Sequence, residues 1–175
     1  MDLTVTNKIA IAADTVRVTL AATGGGPLAP FKPGAHVELS FAGLRRRYSL
    51  TSSPRDSGRY EICVLRTDPS RGGSAYIHDH VRAGDRLQVD GPFNAFPLNH
   101  EAMHSVFIAG GIGITPFLSM MEALERSSRP FDLHYAARDA FRLLPVPDYS
   151  GRTHLYPGRE QRLDLDAVLG PLSTD

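Results

Sequence analysis

The chain carries a short apolar run, Val106–Ala109, that is followed at once by three glycines within four residues. An apolar run that ends in glycine is typical of a buried parallel strand, and Gly110, Gly111 and Gly113 then predict a turn before a helix. A backbone without side chains can approach the pyrophosphate of a dinucleotide closely. The spacing is not Gly-x-Gly-x-x-Gly, so the same residues also fit a tight strand–helix turn that binds nothing.

A helix is predicted directly after this turn. Thr115 is expected to cap it, and Pro116 suits its first position, where no N–H is needed. Apolar side chains then recur at helical spacing, at Phe117, Leu118, Met121 and Leu124. The Thr115 hydroxyl could also face the phosphate or the nicotinamide of a dinucleotide.

The rest of the second half continues this alternation. Phe131–Ala136 and Thr153–Tyr156 are predicted strands, and Leu163–Leu169 is a predicted short helix. The order β-α-β-(α)-β-α favours an α/β half with a parallel sheet.

The first half has a different pattern, because short alternating runs are separated by Gly, Pro and Asp. Predicted strands cover residues 3–6, 9–11, 16–20, 36–41, 47–50, 60–65 and 86–90. A helix from about Ser74 to His80 interrupts them. This pattern predicts a small antiparallel β-barrel. We place the boundary near Asn99–Met103, which gives two domains over residues 1–100 and 101–175.

One predicted strand end combines a cation, an aromatic ring and a hydroxyl. Arg46 can bind a phosphate through paired, charge-assisted hydrogen bonds. Tyr48 projects to the same face and could stack on a flat ring, while Ser49 could meet the edge of that ring. The alternative is a solvated charge run, Arg45–Arg47, beside an aromatic residue of the barrel.

A second phosphate-binding element is predicted after the strand over residues 60–65. Arg71 precedes Gly72 and Gly73, whose backbone N–H groups could form an anion-binding nest, and Ser74 is expected to cap the helix. The alternative is a capped loop with nothing bound.

Composition excludes several classes of function. Lys+Arg and Asp+Glu are both 19, so the balance of charge gives no reason to expect nucleic acid or an anionic membrane as a partner. No secretory signal or membrane-spanning apolar stretch is apparent, and a cytoplasmic location is expected. The single cysteine, Cys63, cannot form an intrachain disulfide or a multi-cysteine cluster, and is expected to be a buried thiol. His78 and His80 face different sides of a helix, so no metal site is expected.

The ordered set of motifs resembles the ferredoxin–NADP⁺ reductase superfamily, in particular the branch of phthalate dioxygenase reductase and vanillate demethylase reductase. The resemblance covers almost the whole chain. It rests on residues 46–51, 71–74, 76–78, 84–85, 91–98, 110–116 and 134–138.

The resemblance implies a flavin-binding barrel followed by a nicotinamide-nucleotide domain, with hydride passing from NADH or NADPH to flavin N5. Arg46 and Arg71 would then lie at the flavin phosphate, with main-chain N–H groups from Gly72, Gly73 and Ser74. Tyr48 would pack on the flavin ring, and Ser49 would lie near N5 as the candidate catalytic residue. The dinucleotide would lie along the glycine turn, at Gly110, Gly111, Gly113 and Thr115. In this branch the flavin is usually FMN, and FAD is the second choice.

The chain also departs from that family. Members continue into a Cys-Gly strand and a [2Fe–2S] domain, which this sequence lacks, so the nucleotide domain is expected to be truncated, with Asp175 as its last residue. The function expected is an NAD(P)H-dependent flavin oxidoreductase that passes electrons to an oxygenase or a separate ferredoxin. Two alternatives are a flavin-binding regulatory module without catalysis and a free-flavin reductase. Arg138 would favour NADPH as donor, and Asp139 would favour NADH.

Overall fold

The computed structural model describes residues 1–149, 151–158 and 161–170. Nine strands and three α-helices run along this part of the chain. In chain order they are β1 (Asp2–Ala12), β2 (Thr15–Ala22), β3 (His36–Phe41), β4 (Leu44–Ser49), β5 (Tyr60–Leu65), α1 (Gly73–Asp79), β6 (Arg86–Phe93), β7 (Ser105–Gly110), α2 (Thr115–Arg126), β8 (Phe131–Ala137), β9 (Thr153–Pro157) and α3 (Leu165–Leu169). Asp175 lies outside the described residues.

The first half is an antiparallel sheet of six strands in the order β4-β3-β6-β1-β2-β5. Its two edge strands meet where Leu50 bridges to Ile62, and the Thr51 N–H donates to the Glu61 carbonyl at 2.8 Å. The sheet is thereby rolled into a barrel, as the alternating runs predicted. The two runs predicted at residues 3–6 and 9–11 form one strand, β1, because bulges in its pairing with β2 carry it across the interruption.

The barrel encloses one apolar core. On β2 the inward side chains Val16, Val18 and Leu20 are buried, while Arg17 and Thr19 between them face outward and are only partly covered. This period of two is what a strand with one covered face requires. The outward face of β2 and β5 lies toward the second half of the chain.

The second half is a parallel sheet in the order β7-β8-β9, with α2 crossing between its first two strands. Met121 and Leu124 of α2 are buried in one cluster with Phe131 and Leu133 of β8. The predicted strands and their parallel order are confirmed. Between β8 and β9 the described residues contain a 3₁₀ turn, Ala140–Arg142, at the place where the sequence pattern allows an optional helix.

α3 begins two residues later than predicted. The Asp164 carboxylate accepts hydrogen bonds from the backbone N–H groups of Asp166 and Ala167, at 3.0 and 3.1 Å, so Asp164 caps the helix and Leu165 is its first residue. Within the described residues, no helix is both long and apolar enough to cross a membrane.

A buried hydrogen bond joins the two halves. The Gly34 N–H, in the segment before β3, donates to the Ser119 hydroxyl of α2 at 3.1 Å. Gly34 has φ of +86°, and a Cβ atom there would overlap the Phe96 carbonyl oxygen and the Met120 methyl group. Any other residue at this position would have to displace the Phe96 backbone in the first half and the end of the Met120 side chain in the second.

Candidate functional site

Arg46 lies across the start of α1. Its guanidinium donates to the Arg71 carbonyl at 2.7 Å and to the Arg45 carbonyl at 2.8 Å. A Cβ atom on Gly73 would lie 2.7 Å from Arg46 Nε and 2.8 Å from its Cγ, so the side chain packs directly on the glycine. A guanidinium has five N–H groups, and these two bonds leave donors for an anion. The two phosphate-binding elements predicted separately therefore lie side by side.

The start of α1 is built on backbone rather than on a side-chain cap. Gly72 precedes the helix with φ of +87°, and the first-turn N–H groups, among them those of Gly73 and Ser74, have no acceptor inside the helix. The prediction that Ser74 caps α1 is wrong, because the helix begins at Gly73 and Ser74 is already inside it. The Ser74 hydroxyl instead lies 3.0 Å from the Thr67 hydroxyl and accepts the Thr67 N–H at 3.2 Å, which fixes the preceding loop.

Tyr48 and Ser49 end β4 and line a cavity of about 220 Å³. Pro116 at the start of α2 lines the same cavity, so residues from both sequence motifs meet there. The Tyr48 ring is half-buried against the barrel core, and burial raises its pKa to about 12, opposed by the nearby Arg46 charge. The phenol is therefore neutral at ordinary pH and offers a flat ring with a hydroxyl donor.

The cavity also contains residues that the sequence did not identify as site residues. Gly34, His36 and Phe96 line it, and the His36 and Phe93 rings lie 5.8 Å apart. Burial and the Arg47 charge lower the pKa of His36, which favours the uncharged imidazole. His36 lies in an ordinary alternating strand, and Gly34 and Phe96 lie outside the strands, so only the folded contact reveals them as site residues.

The glycine turn leaves open space beside the backbone. Gly110 ends β7, and Gly111 (φ +51°) and Gly113 lie in a 3₁₀ turn that runs into α2. A Cβ atom placed on any of the three would meet nothing within 4 Å. These glycines are therefore not required by packing inside the chain, and their surface is accessible to a ligand.

Thr115 does not cap α2 as predicted. The 3₁₀ turn passes directly into the helix, so Thr115 is the first helical residue and its hydroxyl donates to the Ile112 carbonyl at 3.0 Å. The side chain is nearly buried. Its hydroxyl stabilises the glycine turn from inside, and Pro116 follows in the first turn of α2, as predicted.

A second cavity, of about 410 Å³, lies between the barrel and the parallel sheet. Gly111 and Arg138 line it from the sheet, and Arg66 and Thr67 line it from the end of β5. Arg66 is held by a two-point ion pair with Asp79, at 2.6 and 3.0 Å. Arg66 and Thr67 are functional candidates that the sequence reasoning missed, although two polar residues directly after a buried strand were a usable signal.

The cations of this second cavity differ in their pairing. Arg142 pairs with Asp14 at 2.9 Å and with Asp139 at 3.1 Å. Arg138 is exposed and has no acidic partner among the described residues. The other carboxylate oxygen of Asp139, Oδ1, is buried and lacks a hydrogen-bond partner there. A free guanidinium and an unsatisfied carboxylate oxygen thus lie at the carboxyl end of β8.

Cys63 and the histidines near the helix have structural contacts. Cys63 is buried, and desolvation raises the pKa of its thiol to about 11. The His78 ring nitrogen lies 2.9 Å from the Val64 carbonyl, and His80 stacks on Tyr76. Among the described residues, no group of three or more His, Cys, Asp or Glu is arranged to hold a metal.

Comparison with known proteins gives concordant matches. The family model of the oxidoreductase FAD-binding domain matches residues 2–97. Phenoxybenzoate dioxygenase subunit beta of Ectopseudomonas oleovorans is 45% identical over 170 residues, which are 93% of this chain and 53% of that protein. Vanillate O-demethylase oxidoreductase of a Pseudomonas strain is 39% identical over 168 residues, which are 91% of this chain and 53% of that protein.

A solved structure of similar fold is that of phthalate dioxygenase reductase, described as a modular structure for electron transfer from pyridine nucleotides to [2Fe–2S]. It superposes with a TM-score of 0.91 at 32% identity, covering 97% of this chain and 56% of that one. The chain therefore spans about half the length of the relatives it matches.

Proposed function

This chain belongs to the family of oxidoreductase FAD-binding domains, in the phthalate dioxygenase reductase branch of the ferredoxin–NADP⁺ reductase superfamily, and on that premise we propose that it binds flavin and accepts electrons from NADH or NADPH. The observation that carries the proposal is the single cavity in which Tyr48 and Ser49 of the barrel meet Pro116 of the nucleotide half. Donor and acceptor sites must adjoin for electrons to pass between them.

The residues present fit a flavin mononucleotide. The free donors of Arg46, together with Arg71 and the unpaired N–H groups at the start of α1, offer a phosphate several hydrogen bonds. Gly73 allows Arg46 to lie at this site, since any side chain at Gly73 would displace Arg46. We propose FMN on this basis, because the described cluster is suited to a terminal phosphate. FAD is the alternative, and the family model carries its name.

Each protein group then has a positional role. Arg46 anchors the phosphate end, Tyr48 presents a neutral ring to the flat end, and Ser49 at the strand terminus offers a hydroxyl at the ring edge. When bound, the flavin supplies the step from a two-electron donor to single-electron transfer. No acid–base residue is required of the protein, and exclusion of water by Phe96 and Pro116 is the remaining task.

For the dinucleotide we propose the glycine turn and the second cavity. Gly110, Gly111 and Gly113 leave room for the pyrophosphate, and Thr115 holds their turn from behind. At the end of β8, the unsatisfied Asp139 oxygen suits a ribose hydroxyl, whereas Arg138 suits a 2′-phosphate. Asp139 thus favours NADH and the adjacent Arg138 favours NADPH, so both donors are to be tested.

We also propose a division into a flavin domain over residues 1–100 and a nucleotide domain over residues 101–175. The family match to residues 2–97 supports the first boundary. The relatives are named for oxygenase systems, and an oxygenase component or a separate ferredoxin is the proposed electron acceptor. A cytoplasmic location stays a prediction.

The test is an absorption spectrum of the purified chain after loading with FMN or FAD, followed by anaerobic addition of NADH and then NADPH. We expect a bound-flavin spectrum whose long-wavelength band bleaches quickly and saturably. Bound flavin that is reduced no faster than free flavin would leave a flavin-binding module without reductase activity. Flavin that dissociates freely and is consumed as a substrate would indicate a free-flavin reductase.

A further inference from the structure

A third cavity has no role in the function proposed above. It has a volume of about 610 Å³ and lies between the outer face of β2 and β5 on one side and α2 with the segment after Arg142 on the other. We call it the Arg17 cleft, lined chiefly by Ile11, Arg17, Glu61, Leu118, Glu122 and Leu144. Its volume is in the range of small-molecule sites, roughly 300–1,000 Å³.

One wall of the Arg17 cleft is apolar. Ile11 of the barrel and Leu118 of α2 are half-buried at the edge of the second core, and Leu144 is buried beside them. The Leu144 backbone is fixed, because its N–H donates to the buried Tyr135 hydroxyl at 3.0 Å. This wall is therefore preformed, and it offers an apolar ligand a surface that needs no rearrangement.

The charged side chains of the cleft come from both of its sides and are not equally satisfied. Glu61 pairs with Arg59 at 3.4 Å, and Glu122 accepts the Ser53 hydroxyl at 3.1 Å. Arg17 projects from the outer face of β2, opposite Cys63 in the strand register. Over residues 1–149, 151–158 and 161–170 it has neither an ion pair nor a hydrogen bond from its guanidinium. Of these three charged groups, Arg17 is therefore the one that is available to a ligand.

We propose that the Arg17 cleft binds a small amphipathic carboxylate, with the carboxylate at Arg17 and the apolar part against Ile11 and Leu118. A guanidinium binds a carboxylate through two parallel N–H bonds, which selects it over neutral groups. Glu122 at the far side disfavours a second negative charge on the ligand, so the ligand is a monocarboxylate. This site shares no lining residue with the Tyr48 cavity and shares Leu144 with the second cavity.

Cys63 reports directly on occupancy, because it lines the cleft and is the single cysteine of the chain. Because the thiol is buried and its pKa is about 11, the experiment follows the slow alkylation of the full chain by iodoacetamide at alkaline pH, using intact mass, with 4-phenylbutyrate as the probe and its neutral amide as the matched control. We expect saturable protection by the acid and little by the amide. In Arg17→Met the half-protecting concentration should rise about tenfold, while Arg17→Lys should retain most of the protection.

Half-protecting concentrations are compared rather than rates, since loss of Arg17 also changes the reactivity of the thiol. Glu122→Gln, which removes the opposing charge, should lower the half-protecting concentration of the acid. If Arg17→Met does not fold, as judged by circular dichroism, the Glu122 variant and the amide still decide the question. Equal protection by acid and amide, no saturable protection up to about 10 mM, or loss of protection on adding saturating FMN would overturn the proposal.

Discussion

Gly34 and Ser119 lie 85 residues apart in the sequence, yet the Gly34 N–H donates to the Ser119 hydroxyl at 3.1 Å in a buried contact between the barrel and helix α2. The Ser119 hydroxyl in turn donates to the Pro116 carbonyl at 3.2 Å. Because Gly34 and Pro116 both line the cavity with Tyr48, this contact sets the distance between the barrel and the nucleotide half at the candidate site.

We expect Ser119→Ala to lower the free energy of unfolding by about 1–3 kcal/mol, since it leaves the buried Gly34 N–H without an acceptor. Gly34→Ala should cost more, about 2–5 kcal/mol, because overlap with Phe96 and Met120 adds to the strain of a positive φ. Urea unfolding of the chain measures both.

Gly84→Ala is the matched control for Gly34→Ala. Gly84 has φ of +97°, but a Cβ atom there meets nothing within 4 Å, so this variant carries only the backbone strain. Equal losses at the two glycines would show that the overlap with Phe96 and Met120 contributes nothing.

Gly73→Ala should weaken flavin binding about tenfold, because the new methyl group displaces Arg46, with its Nε only 2.7 Å from the Cβ position. The free energy of unfolding should change little, since alanine suits a helix better than glycine does. Fluorescence titration with FMN and with FAD measures the affinity.

Arg46→Lys provides the comparison, because it keeps the charge and loses the fork of the guanidinium. Gly73→Ala and Arg46→Lys should weaken binding to a similar degree, and the double variant should lose little more than either. Additive losses would mean that the glycine acts independently of Arg46.

Cys63 gives a pH dependence of stability. Burial raises its pKa from 9.0 to about 11 in the folded state. The contribution of the neutral thiol to the free energy of unfolding is therefore fully present below pH 9 and is lost as the pH rises toward 11. We expect the difference in unfolding free energy between the wild type and Cys63→Ala to fall by roughly 2 kcal/mol across that interval. Urea unfolding at several pH values measures the slope, and parallel slopes for the two proteins would contradict the assignment.

Arg138→Ala should raise the KM for NADPH several-fold and leave the KM for NADH nearly unchanged, because only NADPH carries the 2′-phosphate. Anaerobic stopped-flow reduction of the bound flavin by each donor gives the comparison. Arg129→Ala is the control, since this arginine caps the His100 and Ala102 carbonyls elsewhere on the surface. If Arg138→Ala raised the KM for NADH and for NADPH equally, Arg138 would lie at the part of the dinucleotide that the two donors share.

The fold was largely predictable because its two halves follow different hydrophobic periods. The alternation on β2 and the apolar run before Gly110 each determined an element type without help from the rest of the chain. Recognition of the family from the ordered motifs is confirmed by the matches to residues 2–97 and to the relatives.

Caps were less predictable. Ser74 and Thr115 have the right chemistry for an N-cap, but each lies inside its helix, because the preceding glycine segment begins the helical turn earlier. The residues that precede the two helices are Gly72 and Ile114, which have no side-chain hydroxyl, so the position of a hydroxyl alone does not fix the first residue of a helix.

Contacts between the halves could not be predicted from local patterns. Gly34 and Arg17 follow no motif, and their importance comes from which surface faces them after folding. The same is true of Arg66, whose pairing with Asp79 depends on how α1 lies beside β5.

Helix α2 gives the molecule a shared constraint. Its first turn lines the Tyr48 cavity through Pro116, its Ser119 holds the barrel, and its Leu118 and Glu122 line the Arg17 cleft. A shift of this one helix by a fraction of its pitch would change all three surfaces together. Selection on either cavity therefore acts on the same twelve residues. At each position of α2, the surface that is most sensitive to a substitution should determine whether the substitution is tolerated.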